Sequence, residues 1–183
     1  MRKLTDIEAS GYMVNNIIAY NAVTVIQFDI AFSVSILAAV LKSLQNQCAI
    51  LQSVVFESGG EYILKKKSAI VPIDIRVIPH NASLKAEALY ELHTPLCIDQ
   101  EPLMRVAYQS GKNSSHLMVT ISHVVCDGGA IVTIVNQMLK MLDIAIRNKK
   151  EKVPNVYTDN INPQQVIDSV LLDTKLIETE SLV

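Results

Sequence analysis

The sequence has little excess charge: 16 Lys and Arg against 18 Asp and Glu leave a formal net charge of −2 at pH 7. Without a basic footprint the chain is not expected to bind nucleic acid. It also lacks an uninterrupted apolar run of the roughly 18 residues that a membrane span requires. Its richest stretch, Ala22 to Leu41, is broken by Gln27, Asp29, Ser33 and Ser35, so no span is expected. No apolar segment follows the basic start Met1-Arg2-Lys3, and no signal peptide is expected. Cysteine is scarce. Cys48, Cys97 and Cys126 stand far apart, which argues against a disulfide framework and for buried free thiols in a reducing, cytoplasmic compartment. There is no Cys-x-x-Cys or His-x-x-x-His, and His80, His93 and His116 do not cluster with His123, so no metal site is expected.

What is present is apolar patterning. Half of the 183 residues are hydrophobic, enough for one domain with a packed core. Ala22–Ile30 reads as a strand through its β-branched alternation, and Ser33 or Ser35 caps a following helix to about Gln47. Leu51–Phe56 and Tyr62–Lys65 read as a hairpin turned at Gly59-Gly60. Ile73–Ile78 is a further strand. Ser83–Leu92 is a helix capped by Ser83, with Leu84, Ala88 and Leu92 on its apolar face. Leu103–Tyr108 and His116–Ser122 pair antiparallel, and a long helix runs from Ala130 to about Arg147. Residues 1–148 form the domain; residues 149–183 read as a charged, proline-punctuated connector with a possible helix at Gln164–Leu176. Hairpins mixed with helices predict an α+β class, a mixed sheet flanked by helices.

The chemistry concentrates in Ser122-His123-Val124-Val125-Cys126-Asp127-Gly128-Gly129. His123 falls where a strand ends, ahead of two glycines and a helix, where a rigid element can hold a reactive group beside open space. Imidazole titrates near neutral pH, so it can take a proton and return it. Asp127 would fix the local backbone or pair with an arginine, and Gly128 and Gly129 would permit a sharp turn. From spacing alone, His-x-x-x-Asp-Gly leaves a purely structural histidine open as well.

These residues, in company with their neighbours, resemble a superfamily that joins chloramphenicol acetyltransferase, nonribosomal peptide condensation domains, polyketide-associated acyltransferases and alcohol acyltransferases. His123, Asp127 and Gly128 match its His-x-x-x-Asp-Gly. Arg2 to Glu8, the strand, helix and strand of Ala22–Val55, and Pro95-Leu96-Cys97-Ile98-Asp99-Gln100-Glu101-Pro102-Leu103-Met104-Arg105 resemble further segments in the same order. The resemblance runs to about Arg147 and implies a chloramphenicol acetyltransferase-like N-terminal lobe. It implies His123 as general base, moving an acyl group from a coenzyme A or carrier-protein thioester to a hydroxyl or amine. Asp127 would be structural, paired with an arginine, and Gly128 would let substrate pass close to the backbone. No covalent acyl-enzyme and no cofactor are implied; Cys126 reads as a packed small residue.

The sequence departs from that pattern in two ways. Ser122 replaces the first of two histidines that many members carry, which tilts the expected acceptor toward an alcohol. About 55 residues follow the motif, and no Asp-Phe-Gly-Trp-Gly-like segment occurs among them. The resemblance therefore implies a first lobe whose site is completed by a second lobe, a partner chain or another copy of itself. Arg76, Arg105 and Arg147 are the local arginines for Asp127. Lys65, Lys66 and Lys67 read as a solvated strand end, with a phosphate or acidic carrier as the functional alternative. The competing function is an isolated, non-catalytic lobe acting as a binding module.

Overall fold

A computed structural model describes residues 1–148. The expected connector and Gln164–Leu176 helix lie outside those residues. Two sheets organise the chain. The smaller has the order β1 (Arg2–Lys3), β4 (Glu61–Lys66), β3 (Ser53–Ser58), all antiparallel. The β3–β4 hairpin turns at Gly59 (φ 61°) and Gly60 (φ 78°), a backbone that side-chain-bearing residues rarely adopt.

The larger sheet has the order β2 (Asn21–Phe28), β7 (Ser115–Ser122), β6 (Met104–Ser110), β5 (Ile75–Ile78). β2, β7 and β6 are antiparallel, whereas β5 runs parallel to β6 and reaches it through helix α3 (Leu84–His93). A parallel neighbour needs such a crossover, and the sheet is mixed as expected. One face is covered by helices α2 (Val34–Gln47) and α4 (Gly128–Asn148). Leu37, Leu41 and Leu44 of α2 and Ile134, Met138 and Leu142 of α4 bury against Val106, Tyr108, Leu117, Val119 and Ile121. The Tyr108 hydroxyl, deep in that core, donates to the Phe32 carbonyl, so its polar end is not stranded. Ser33 caps α2 and Ser83 caps α3, each accepting a backbone amide three residues on.

The other face carries α3, with Leu84 and Ala88 against Ile78, Ala107 and Met118. The expected apolar face of α3 is only half right. Leu92 is exposed, and the fully buried residue of α3 is Glu91. That carboxylate accepts from Arg105 at 2.6 Å, from Arg76 at 2.8 Å and from the Thr120 hydroxyl at 3.0 Å. Burial alone pushes Glu91 up; the Arg105 and Arg76 hydrogen bonds outweigh it and hold the carboxyl below its ordinary range. Arg105 also donates to the carbonyls of Glu91, Thr94 and Pro95, tying the end of α3 to the sheet.

Two sequence expectations are corrected. A helix, α1 (Asp6–Asn15), precedes β2, where none was expected; Thr5 and Glu8 form a reciprocal capping box at its start. Of the three free cysteines only Cys126 is buried; Cys48 is half-buried and Cys97 exposed. Finally, Gly128–Arg147, with mean hydropathy 1.4, is long and apolar enough by length and composition to cross a membrane. Here its apolar side lies in the core under the large sheet.

Candidate functional site

The site forms at the end of the large sheet where β7 finishes. Strand alternation makes Ser122 face α3 and Ile121 face α4, and both are fully buried. The next residue leaves the pleat. His123 still pairs with the chain before β2, its amide donating to the Tyr20 carbonyl at 2.9 Å, but its side chain is exposed. Val124 turns back into the second core cluster with Leu4, Val55, Leu96, Ile98 and Leu103, and its amide donates to the Ser122 hydroxyl. His123 is thus held out to solvent between two buried residues.

Its ring is flanked by an aromatic one. The Tyr20 and His123 rings stack with centroids 5.2 Å apart and planes 30° from parallel. Among the described residues no side chain hydrogen-bonds the imidazole, so the stack is the contact that orients it. Tyr20 is fixed in turn: its amide donates to the Asn15 side chain, and Asn15 donates to the Leu96 carbonyl. Asn21, next along, donates to the carbonyls of Glu91 and Thr94. The start of β2, the end of α3 and the start of β6 are therefore tied together behind His123.

Downstream, Cys126 packs into the main core, and burial pushes its thiol up to about 12. Cys126 is thus the packed small residue expected from the sequence. Asp127 caps α4. Its Oδ1 accepts the Ala130 amide at 2.8 Å, and its carbonyl accepts the Ile131 amide. None of the three candidate arginines reaches it: Arg76 and Arg105 are taken by Glu91, and Arg147 pairs with Asp143.

The glycine expectation is also corrected. Gly128 and Gly129 are the first residues of α4, neither has positive φ, and a Cβ on Gly128 would meet open space. Within the described residues the turn does not require them. No metal-binding group of His, Cys, Asp and Glu occurs among the described residues.

Sequence reasoning singled out His123, Asp127 and Gly128 and did not single out the residues arranged around them, Tyr20, Asn15 and Glu91. A signal existed for α1, in Thr5-x-x-Glu8. None existed for Tyr20, whose partner lies 103 positions away in the chain (123 less 20).

The backbone is similar to several solved structures, all at low identity. The first condensation domain of the calcium-dependent antibiotic synthetase, in complex with a substrate analogue, gives a TM-score of 0.69 at 15% identity, over 94% of this chain and 44% of that one. The X-domain from teicoplanin biosynthesis gives 0.72 at 14%, over 98% and 40%. An arginine-to-alanine mutant of the starter condensation domain of rhizomide synthetase RzmA, in complex with C8-CoA, gives 0.69 at 13%, over 91% and 40%. The chain thus spans less than half the length of these relatives. No curated protein matches it. Residues 12–169 match the sequence profile of the condensation domain, and the chain belongs to that family.

Proposed function

We propose that the chain is the first lobe of an acyltransferase whose general base is His123, and that a second lobe or another subunit supplies the opposite wall. In the reaction the acceptor hydroxyl or amine attacks the carbonyl carbon of an acyl thioester while a ring nitrogen of His123 takes its proton. The tetrahedral intermediate collapses with breakage of the carbon–sulfur bond. The thiolate then leaves with the proton held by His123, so the imidazole ends as it began.

The observation that carries this reading is an exposed, oriented imidazole at a strand end, next to an apolar rim. Met13, Val14, Ile17, Ile18 and Tyr20 are all exposed along the segment leading to the stack, with Ile17 at 83%. Such a rim around a polar group is what an interface leaves when its partner is removed. The chain's coverage of less than half of its structural neighbours supports the same division into two walls. Asp127 holds the loop by capping α4, and the bare Gly128 leaves room for substrate. The relative with bound C8-CoA favours a coenzyme A or carrier thioester as donor; Ser122, buried and bonded to Val124, takes no direct part.

The test is acyl transfer from a radiolabelled acyl thioester by the chain together with a second-lobe chain. Transfer that depends on His123 supports the reading. Transfer unaffected by His123→Ala leaves the alternative, a non-catalytic binding lobe.

A further inference from the structure

The geometry points to Tyr20 as the positioning residue of His123, with Gly11 and Asn15 as the parts that seat it. This rests on His123 being the base. A base must meet the acceptor proton in a narrow range of angle and distance, and an exposed imidazole with no hydrogen bond on either ring nitrogen is free to rotate about two bonds. Here the rotation is opposed by the Tyr20 ring at 5.2 Å and 30°. A stack leaves both nitrogens available, one for the acceptor and one for a group on the opposite wall. A carboxylate or carbonyl partner from this lobe would occupy one of them. The electron-rich face of the phenol also favours the imidazolium that forms while the proton is held.

Three features of the fold seat the ring. The His123 amide donates to the Tyr20 carbonyl, so the two residues share a backbone bond as well as a ring contact. The Asn15 side chain accepts the Tyr20 amide, fixing the other side of the same residue. On α1, Gly11 stands beside the ring: a Cβ there would lie 3.1 Å from Tyr20 Cε1, so a larger residue forces the phenol to shift from its seat. α1, whose Ala9 and Tyr12 pack against the second core cluster, thereby gains a further task at the site.

The stack is tested by NMR on the full chain. In the unaltered protein, nuclear Overhauser contacts are expected between the ring protons of Tyr20 and His123. Tyr20→Phe should leave the His123 ring resonances in place. Tyr20→Leu and Gly11→Ala should each move them, while those of His80, His93 and His116 stay fixed. In the assembly that transfers acyl groups, Tyr20→Leu should lower kcat about tenfold at nearly constant KM, with Tyr20→Phe restoring it. Absence of the contacts, or His123 resonances that ignore Tyr20→Leu, overturns the stack. Displaced resonances with kcat unchanged overturn the positioning role. Both outcomes differ from failure of the base itself, which shows as transfer that survives His123→Ala.

Discussion

The Asp127 carboxylate accepts the Ala130 amide at 2.8 Å, making the acidic residue of the motif the cap of the helix that follows. The capped end belongs to a helix with its core face buried from Ile131 to Ala145, so the cap anchors the loop after His123 to the main core. An aspartate and an asparagine cap about equally well, whereas alanine forfeits the bond. Asp127→Ala is expected to cost about 1 kcal/mol in urea denaturation, and Asp127→Asn only a few tenths. Equal losses for the two variants would mean that charge, and not the cap, is what Asp127 supplies to this lobe.

Glu91 is the buried carboxylate on which α3 and the large sheet converge. Removing it takes the shared carboxylate from Arg105, which keeps only backbone carbonyls, and from Arg76, which keeps Glu87 at 2.7 Å, and breaking a buried pair from one side costs about 3 kcal/mol or more. Glu91→Ala should therefore lower the urea midpoint far more than Asp127→Ala does. Replacing Glu91 and Arg105 together by apolar residues should cost less than the two single losses added, as a double-mutant cycle would measure. Strict additivity would contradict the network.

Acid should weaken the fold in two places. Glu8 is lowered to about 2 by the Arg2 hydrogen bond, against burial and with help from Thr5. Glu91 is lowered as well, its arginine hydrogen bonds outweighing burial. A depressed folded-state value gives stability that is complete above the ordinary carboxylate range and lost as pH falls through the folded value. For Glu8 the loss falls between 4.5 and about 2. Urea midpoints measured from pH 7 to pH 2.5 should hold nearly level to about pH 5 and then drop, and Glu8→Gln should flatten part of the drop. A midpoint insensitive to acid would contradict both assignments.

The cysteines should separate by reactivity. Cys97 is exposed, Cys48 half-buried, and the Cys126 thiol is both enclosed and pushed up to about 12 by burial. Maleimide labelling at pH 8, read by peptide mass spectrometry, should mark Cys97 first and Cys126 only after unfolding. Prompt labelling of Cys126 in the folded chain would reopen it as a nucleophile.

Local signals were readable in the sequence and long-range ones were not. Ser33 and Ser83 announce their helices because a cap acts over three residues, and Gly59-Gly60 announces its hairpin because the turn needs positive φ. α1 escaped the apolar pattern because Ile7, Met13 and Val14 are exposed and form no buried stripe; only its capping box marks it. Sheet order, with β5 parallel to β6, depends on which strands meet in space, and no local pattern encodes it. Glu91 hid for the same reason: its partners Arg76, Arg105 and Thr120 come from three different strands. The motif glycines misled in the opposite sense. Gly-Gly suggested a sharp turn, but Gly128 and Gly129 begin a helix and the space beside Gly128 is empty.

The central claim is that His123 carries the proton. The direct measurement is kcat/KM for acyl transfer by this chain assembled with a second lobe, comparing the unaltered protein with His123→Ala. Stability is followed in parallel, because an exposed side chain should tolerate the change. A general base of this kind supplies about 10²- to 10⁴-fold, so a loss of at least about a hundredfold with an unchanged urea midpoint is predicted. Transfer retained at full rate after His123→Ala would contradict the account.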